Sequence, residues 1–169
     1  NHKYSFFKKK KNYNILKETK ILHNKKKDFS KTQILEFSIL FIILNHYEIA
    51  SNKLEDLNDL KFISEKNQML KTTIISSIAD GKTVTEAQST IKKGYAELVE
   101  EISENSNIQL IIKNKNDQEI LELLNDLILD LKEQTNLKKI ESLEKKLINN
   151  LDENSYSELI KLKSQLNSD

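Results

Sequence analysis

At 169 residues the chain is long enough for one ordinary domain, or for a small domain with an appendage. It has no cysteine, which excludes disulfides and thiolate metal sites, and its lack of proline and mere two glycines disfavour sheets and tight turns. The formal charge of +1 hides an asymmetry: residues 1–31 carry eleven lysines against Glu18 and Asp28, while the remainder holds sixteen lysines against twenty-four acids, a net of −8.

Sparse aromatics with plentiful Leu, Ile, Lys and Glu complete a helix-bundle composition, so the fold class read from the sequence is all-α. Every basic residue is lysine and none is arginine, a bias expected of an AT-rich genome that lowers the weight of any lysine cluster. The chain opens on Asn1 rather than methionine, as expected of a piece of a longer protein. A basic leader on an acidic body predicts two regions with different roles.

Residues 1–29 lack a sustained apolar period, and Lys8–Lys11 and Lys25–Lys27 are self-repelling charge blocks. A basic linker is expected there, with Ile15, Leu16, Ile21 and Leu22 able to form a short amphipathic turn. Ser30 followed by Gln33 has the spacing of a capping box and predicts a helix over about 31–47. That helix is apolar nearly all round, from Ile34 to Leu44, so it belongs at the centre of a bundle. The run contains Glu36 and Ser38 and falls short of the roughly 20 residues needed to span a bilayer. No membrane role is expected.

Asn45 and His46 end this helix, and a short one is predicted near 52–60. Ser64 caps a helix reaching Ala79, with Asp80-Gly81 as its stop signal. Thr83 and Glu86 form a second capping box; a helix over about 84–93 is then separated by Gly94 from another over 95–104. The stretch 105–116 has too short an alternation to be read as a strand.

From Asp117 to about Leu151 the chain forms one long helix or two abutting ones. At about 100° per residue, Ile120, Leu124, Leu127 and Leu131 share one face, while Ile140, Leu143, Leu147 and Leu151 fall on the opposite one. Thr135 and Asn136, weak helix formers, sit at the change-over. Such a switch predicts that the first half packs into a body and the second against another element. Asp152 and Ser155 can cap a last helix carrying Tyr156, Leu159, Ile160 and Leu162, which folds back as a hairpin. The expected organisation is a linker over 1–29, a multi-helix bundle over 30–134 and a protruding C-terminal helical hairpin over 135–169.

Searches for chemistry in the sequence end negatively. His2, His23 and His46 are far apart and lack partners at metal-ligand spacing. Gly81-Lys82-Thr83 resembles the end of a phosphate-binding loop, but Ser76 stands where that loop needs its first glycine. Carboxylate pairs such as Glu55/Asp56 and Glu100/Glu101 sit on polar faces and read as solvated surface. Neither a catalytic site nor a cofactor or metal site is expected. Lys8, Lys9, Lys10 and Lys11, with Tyr4, Phe6, Phe7 and Tyr13 nearby, are candidates for weak, non-specific nucleic-acid contact that falls steeply with salt.

One resemblance sharpens this picture. Glu36, Ile39, Leu40 and Leu44, then Asn45-His46, then Leu57, Leu60 and Phe62 reproduce the opening of the C-terminal helicase-interaction domain of bacterial DnaG-type primases. The chain departs from that pattern at Tyr47, where proline usually follows the histidine. The ending LEKKLINNLDENSYSELIKLKSQLNSD resembles the family's terminal hairpin, so the likeness covers about Ser30–Asp169 through hydrophobic-pattern motifs. It implies a cytoplasmic, non-catalytic docking domain that binds the N-terminal collar of the DnaB-type replicative helicase. By position, the helicase-binding candidates are Ile140, Leu143, Leu147, Tyr156, Leu159, Ile160 and Lys163. The tail of single-stranded-DNA-binding protein is a further implied partner. The family's zinc-binding and polymerase domains have no counterpart here, and the leader corresponds to the tether from the polymerase domain. The alternatives are the helicase's own N-terminal collar domain, an unrelated helical adaptor, and an enzyme. Sustained heptads would mark the adaptor and a deep polar pocket the enzyme.

Overall fold

The structure is a computed structural model that describes residues 29–149 and 152–166. Residues 1–28 of the expected basic linker, with Lys8–Lys11, lie outside the described residues, as does Leu151. Every element among the described residues is helical.

Helix α1 (Lys31–Asn45) opens with the expected capping box: Ser30 Oγ accepts from the Gln33 amide at 3.3 Å, and Gln33 Oε1 accepts from the Ser30 amide at 3.0 Å. It buries Leu35, Phe37, Ile39, Leu40, Ile42 and Ile43, with apolar side chains around its whole circumference. A helix without a polar face has to be surrounded. Accordingly it packs against the five helices α2 (Tyr47–Asn52), α4 (Glu65–Ala79), α5 (Val84–Asn105), α6 (Ile108–Ile112) and α7 (Asp117–Asn149).

The short helix expected near 52–60 is α3 (Leu54–Asp59); ahead of it stands α2, which was not expected, and the two are separated at Lys53, which has non-helical backbone angles. No proline or glycine punctuates this break. Tertiary contacts fix the segment: Ile49, Ala50 and Leu57 enter the core, and the Tyr47 hydroxyl donates to the Lys82 carbonyl at 3.0 Å. Ser64 caps α4 through the Asn67 amide, and Gly81 ends it at φ 68°, the left-handed conformation that lets the Lys82 amide bond back to the Ser77 carbonyl at 3.1 Å.

The Thr83–Glu86 box opens α5 as expected. The predicted separation at Gly94 appears as a kink at the next residue, Tyr95 (φ −138°, ψ 24°), within one continuous element. The stretch 105–116 contains α6, whose Ile108 and Ile112 are buried while Leu110 points outward.

Helix α7 starts with a reciprocal pair, Asn116 Oδ1 accepting from the Glu119 amide and Glu119 Oε2 from the Asn116 amide. It runs unbroken through Thr135-Asn136, where the Thr135 hydroxyl donates to the Leu131 carbonyl at 2.8 Å. Its first half sends Ile120, Leu124, Ile128 and Leu131 into the main core, with Leu127 only half-buried beside them. Its second half contributes Ile140 and Leu143 to a separate cluster with Leu159 and Leu162 of α8 (Glu153–Leu166). The switch of faces and the hairpin are therefore present.

Candidate functional site

Two places concentrate the residues singled out by sequence: the connection between α3 and α4, and the terminal hairpin. The connection begins with Glu36 on α1, which is fully buried. An isolated carboxylate on an apolar helix must find donors, because burying it bare is costly. It finds three: Oε1 accepts from the amides of Ile63 at 2.5 Å and Ser64 at 3.4 Å, and Oε2 from the Asn67 side chain at 2.7 Å.

Lys71, on α4, holds the same connection from the other side. Its ammonium donates to the carbonyls of Leu57, at 2.7 Å, and Leu60, and lies 5.5 Å from the centre of the Phe62 ring. Only 1% of Lys71 is exposed. Burial pushes its pKa down to about 8, against the opposing pull of the Asp59 charge. One side chain thus takes the amides of the connection and the other its carbonyls. Leu57, Leu60 and Phe62 are themselves buried. The spacing of Leu57, Leu60 and Phe62 is consequently accounted for by core packing and this polar clamp. Lys71 and Asn67 were not among the sequence candidates. A lone charged residue in an otherwise apolar helix, as Glu36 is, was the available signal.

The hairpin root is fixed by Lys138, whose ammonium donates to the buried Thr32 hydroxyl at 2.7 Å. The turn is capped by Asp152, which accepts from the hydroxyl and amide of Ser155 at 2.6 and 3.0 Å. These bonds, the hydroxyl first, hold the Asp152 carboxyl below its usual pKa. Two ion pairs cross the seam, Lys139–Glu158 at 2.5 Å and Glu144–Lys163 at 2.7 Å. All four side chains are about half exposed, so each pair contributes little, on the order of 0–1 kcal/mol.

The seven sequence candidates divide accordingly. Ile140, Leu143 and Leu159 are buried in the seam with Leu162, and Leu147 packs partly against it. These four side chains therefore close the hairpin over its own leucines and isoleucine. Lys163 is engaged with Glu144. Tyr156 and Ile160, by contrast, are 56% and 51% exposed. Ile148, absent from the candidates, is 83% exposed. Helical spacing puts Tyr156, Ile160 and Lys163 on one side of α8, and Glu144 and Ile148 on one side of α7. Since Glu144 meets Lys163, these exposed apolar side chains occupy the same flank of the hairpin.

Among the described residues no group of three His, Asp or Glu is placed to hold a metal ion, and no helix is long and apolar enough to cross a membrane. No family model, curated protein or solved structure matches the chain.

Proposed function

We propose that this chain is the docking domain of a bacterial DnaG-type primase. It binds the N-terminal collar of the DnaB-type replicative helicase in the cytoplasm and so brings primer synthesis to the fork. The observation that carries the reading is the hairpin: a two-helix arm with its own apolar seam and one flank that keeps Ile148, Tyr156 and Ile160 in solvent. A self-closed arm with aromatic and aliphatic side chains left outside has the make-up of a contact surface. The motif resemblance over Ser30–Asp169 supplies the partner. In this reading the segment has no catalytic activity of its own, the polymerase activity belongs to the parent protein, and the leader touches nucleic acid only weakly. The tail of single-stranded-DNA-binding protein is a second partner, with no residues assigned to it.

Titration of the chain against the isolated helicase collar, with and without residues 137–169, tests the proposal. Binding by the intact chain and none by the truncated one is expected. Absence of binding by the intact chain would overturn it. Tyr156→Asp and Ile160→Asp should each weaken binding about tenfold or more with unchanged helicity, because both side chains lie outside the seam. The collar domain of the helicase itself remains the second reading; self-assembly into rings, in place of binding to a collar, would favour it.

A further inference from the structure

The kink at Tyr95 leaves a groove that neither the core nor the hairpin uses. It lies between the start of α4 and the second half of α5, with a volume of about 540 Å³. Its floor is apolar, formed by Met69, Tyr95 and Leu98, and Glu97 and Glu101 stand along the α5 side. Met69 is 54% exposed, a large side chain on a helix whose neighbours in the core are fully buried. The Tyr95 hydroxyl, 3.2 Å from that of Thr73, fixes the ring against α4. It adjoins a smaller hollow of about 170 Å³, which shares Lys66, Leu98 and Glu101 with it and is also lined by Phe29. Phe29 is the first described residue, so the lysine-rich leader joins the body at the mouth of this groove.

We propose that the groove is the seat of the chain's own leader, with Ile21 and Leu22 over Met69 and Leu98 and Lys25–Lys27 against the α5 carboxylates. Three observations select this occupant. The first is attachment: Leu22 is seven residues from Phe29, and seven residues span about 10 Å as helix and about 23 Å extended. From Glu101 to Gly94 the groove runs along seven residues of α5, again about 10 Å. The second is charge: the leader carries ten lysines before Phe29, and the second half of α5 carries four glutamates without a lysine, of which Glu97 and Glu101 line the groove. Lys66 and Lys93 also border the groove, at the α4 side and the kink, so the favourable side is the α5 one. The third is apolar match, since Ile21-Leu22 is the last apolar pair before Phe29.

Docking of this kind withholds the leader's lysines from phosphates and makes nucleic-acid contact a competitor of the body. The inference is independent of the helicase reading, because the hairpin has no part in it.

The absence of cysteine permits a direct test in the full chain. Leu22→Cys is combined with Met69→Cys, and in a control with Leu129→Cys, which is 63% exposed on α7. Both body positions are exposed, so folding is retained, and helicity is checked by circular dichroism. Under glutathione buffer the 22–69 pair should close intramolecularly about tenfold faster than 22–129, and the advantage should shrink in high salt. Equal rates for the two pairs would overturn the proposal. So would 22–69 disulfides formed chiefly between molecules, which would make a second copy the occupant.

Discussion

The body and the hairpin use the same side chains, leucine and isoleucine on long helices, and differ in how many neighbours close over them. Among the described residues twenty-three buried apolar side chains form one cluster around α1, whereas the hairpin seam has four. The first number permits a buried carboxylate and a buried ammonium to be held in fixed geometry. The second leaves the hairpin dependent on its turn cap, its root and α7 itself. A continuous helix joins the two, so the weaker region is held in place by the stronger one.

That comparison breaks most severely at Glu36. Glu36→Ala removes the acceptor for the Ile63 and Ser64 amides and the Asn67 side chain inside the core, and should cost about 3–5 kcal/mol by urea denaturation. Glu36→Gln keeps an acceptor for the amides and should cost less than half as much. Equal, small losses for both would show that the connection is held by Leu57, Leu60 and Phe62 alone.

Leu159→Ala should have the next largest effect, about 2 kcal/mol, confined to the arm. Hydrogen exchange should accelerate in α8 and the end of α7 while α1 and α4 stay protected. Uniform acceleration would mean that the two regions unfold as one unit.

Lys71 tests the body alone, through pH. Its folded-state pKa of about 8 lies below its ordinary value of 10.5, so between these limits the unfolded chain binds more protons than the folded one. Stability should therefore rise between pH 8 and 9.5, and Lys71→Met should abolish the rise. The converse, a fall with pH that depends on Lys71, would mean that the two carbonyls hold the proton more tightly than burial expels it.

How far these regions were legible in the sequence differs for physical reasons. Capping boxes are local, and Ser30/Gln33 and Thr83/Glu86 sit where spacing placed them. Periodicity likewise exposed the change of face along α7, although it named Leu127, which is half-buried at the edge of the stripe, and left out Ile128, which is within it. Helix α2 was illegible because no capping or punctuating residue marks it, only contacts made far along the chain. The division of the arm's apolar residues between seam and solvent was illegible for a related reason. Apolarity on a helix face does not tell whether a neighbouring helix or solvent meets it: Leu159 is buried against α7, while Tyr156 and Ile160 of the same helix stay exposed.

The smallest expected effect concerns the one buried side-chain oxygen without a hydrogen-bond partner among the described residues, Ser106 Oγ. Ser106 is 2% exposed and ends α5, its amide bonding back to the Ile102 carbonyl while its hydroxyl meets nothing. A buried hydroxyl gives up its bonds to water on folding, and here nothing replaces them. Ser106→Ala keeps the backbone bond and removes the desolvated oxygen, so it should leave stability unchanged or raise it by up to about 1 kcal/mol. Most substitutions at a position this enclosed destabilise, which makes the sign informative. A loss larger than about 1 kcal/mol in the urea midpoint would show that the hydroxyl has a partner after all, and that the α5–α6 corner is held by a polar contact rather than by Ile102, Ile108 and Ile112.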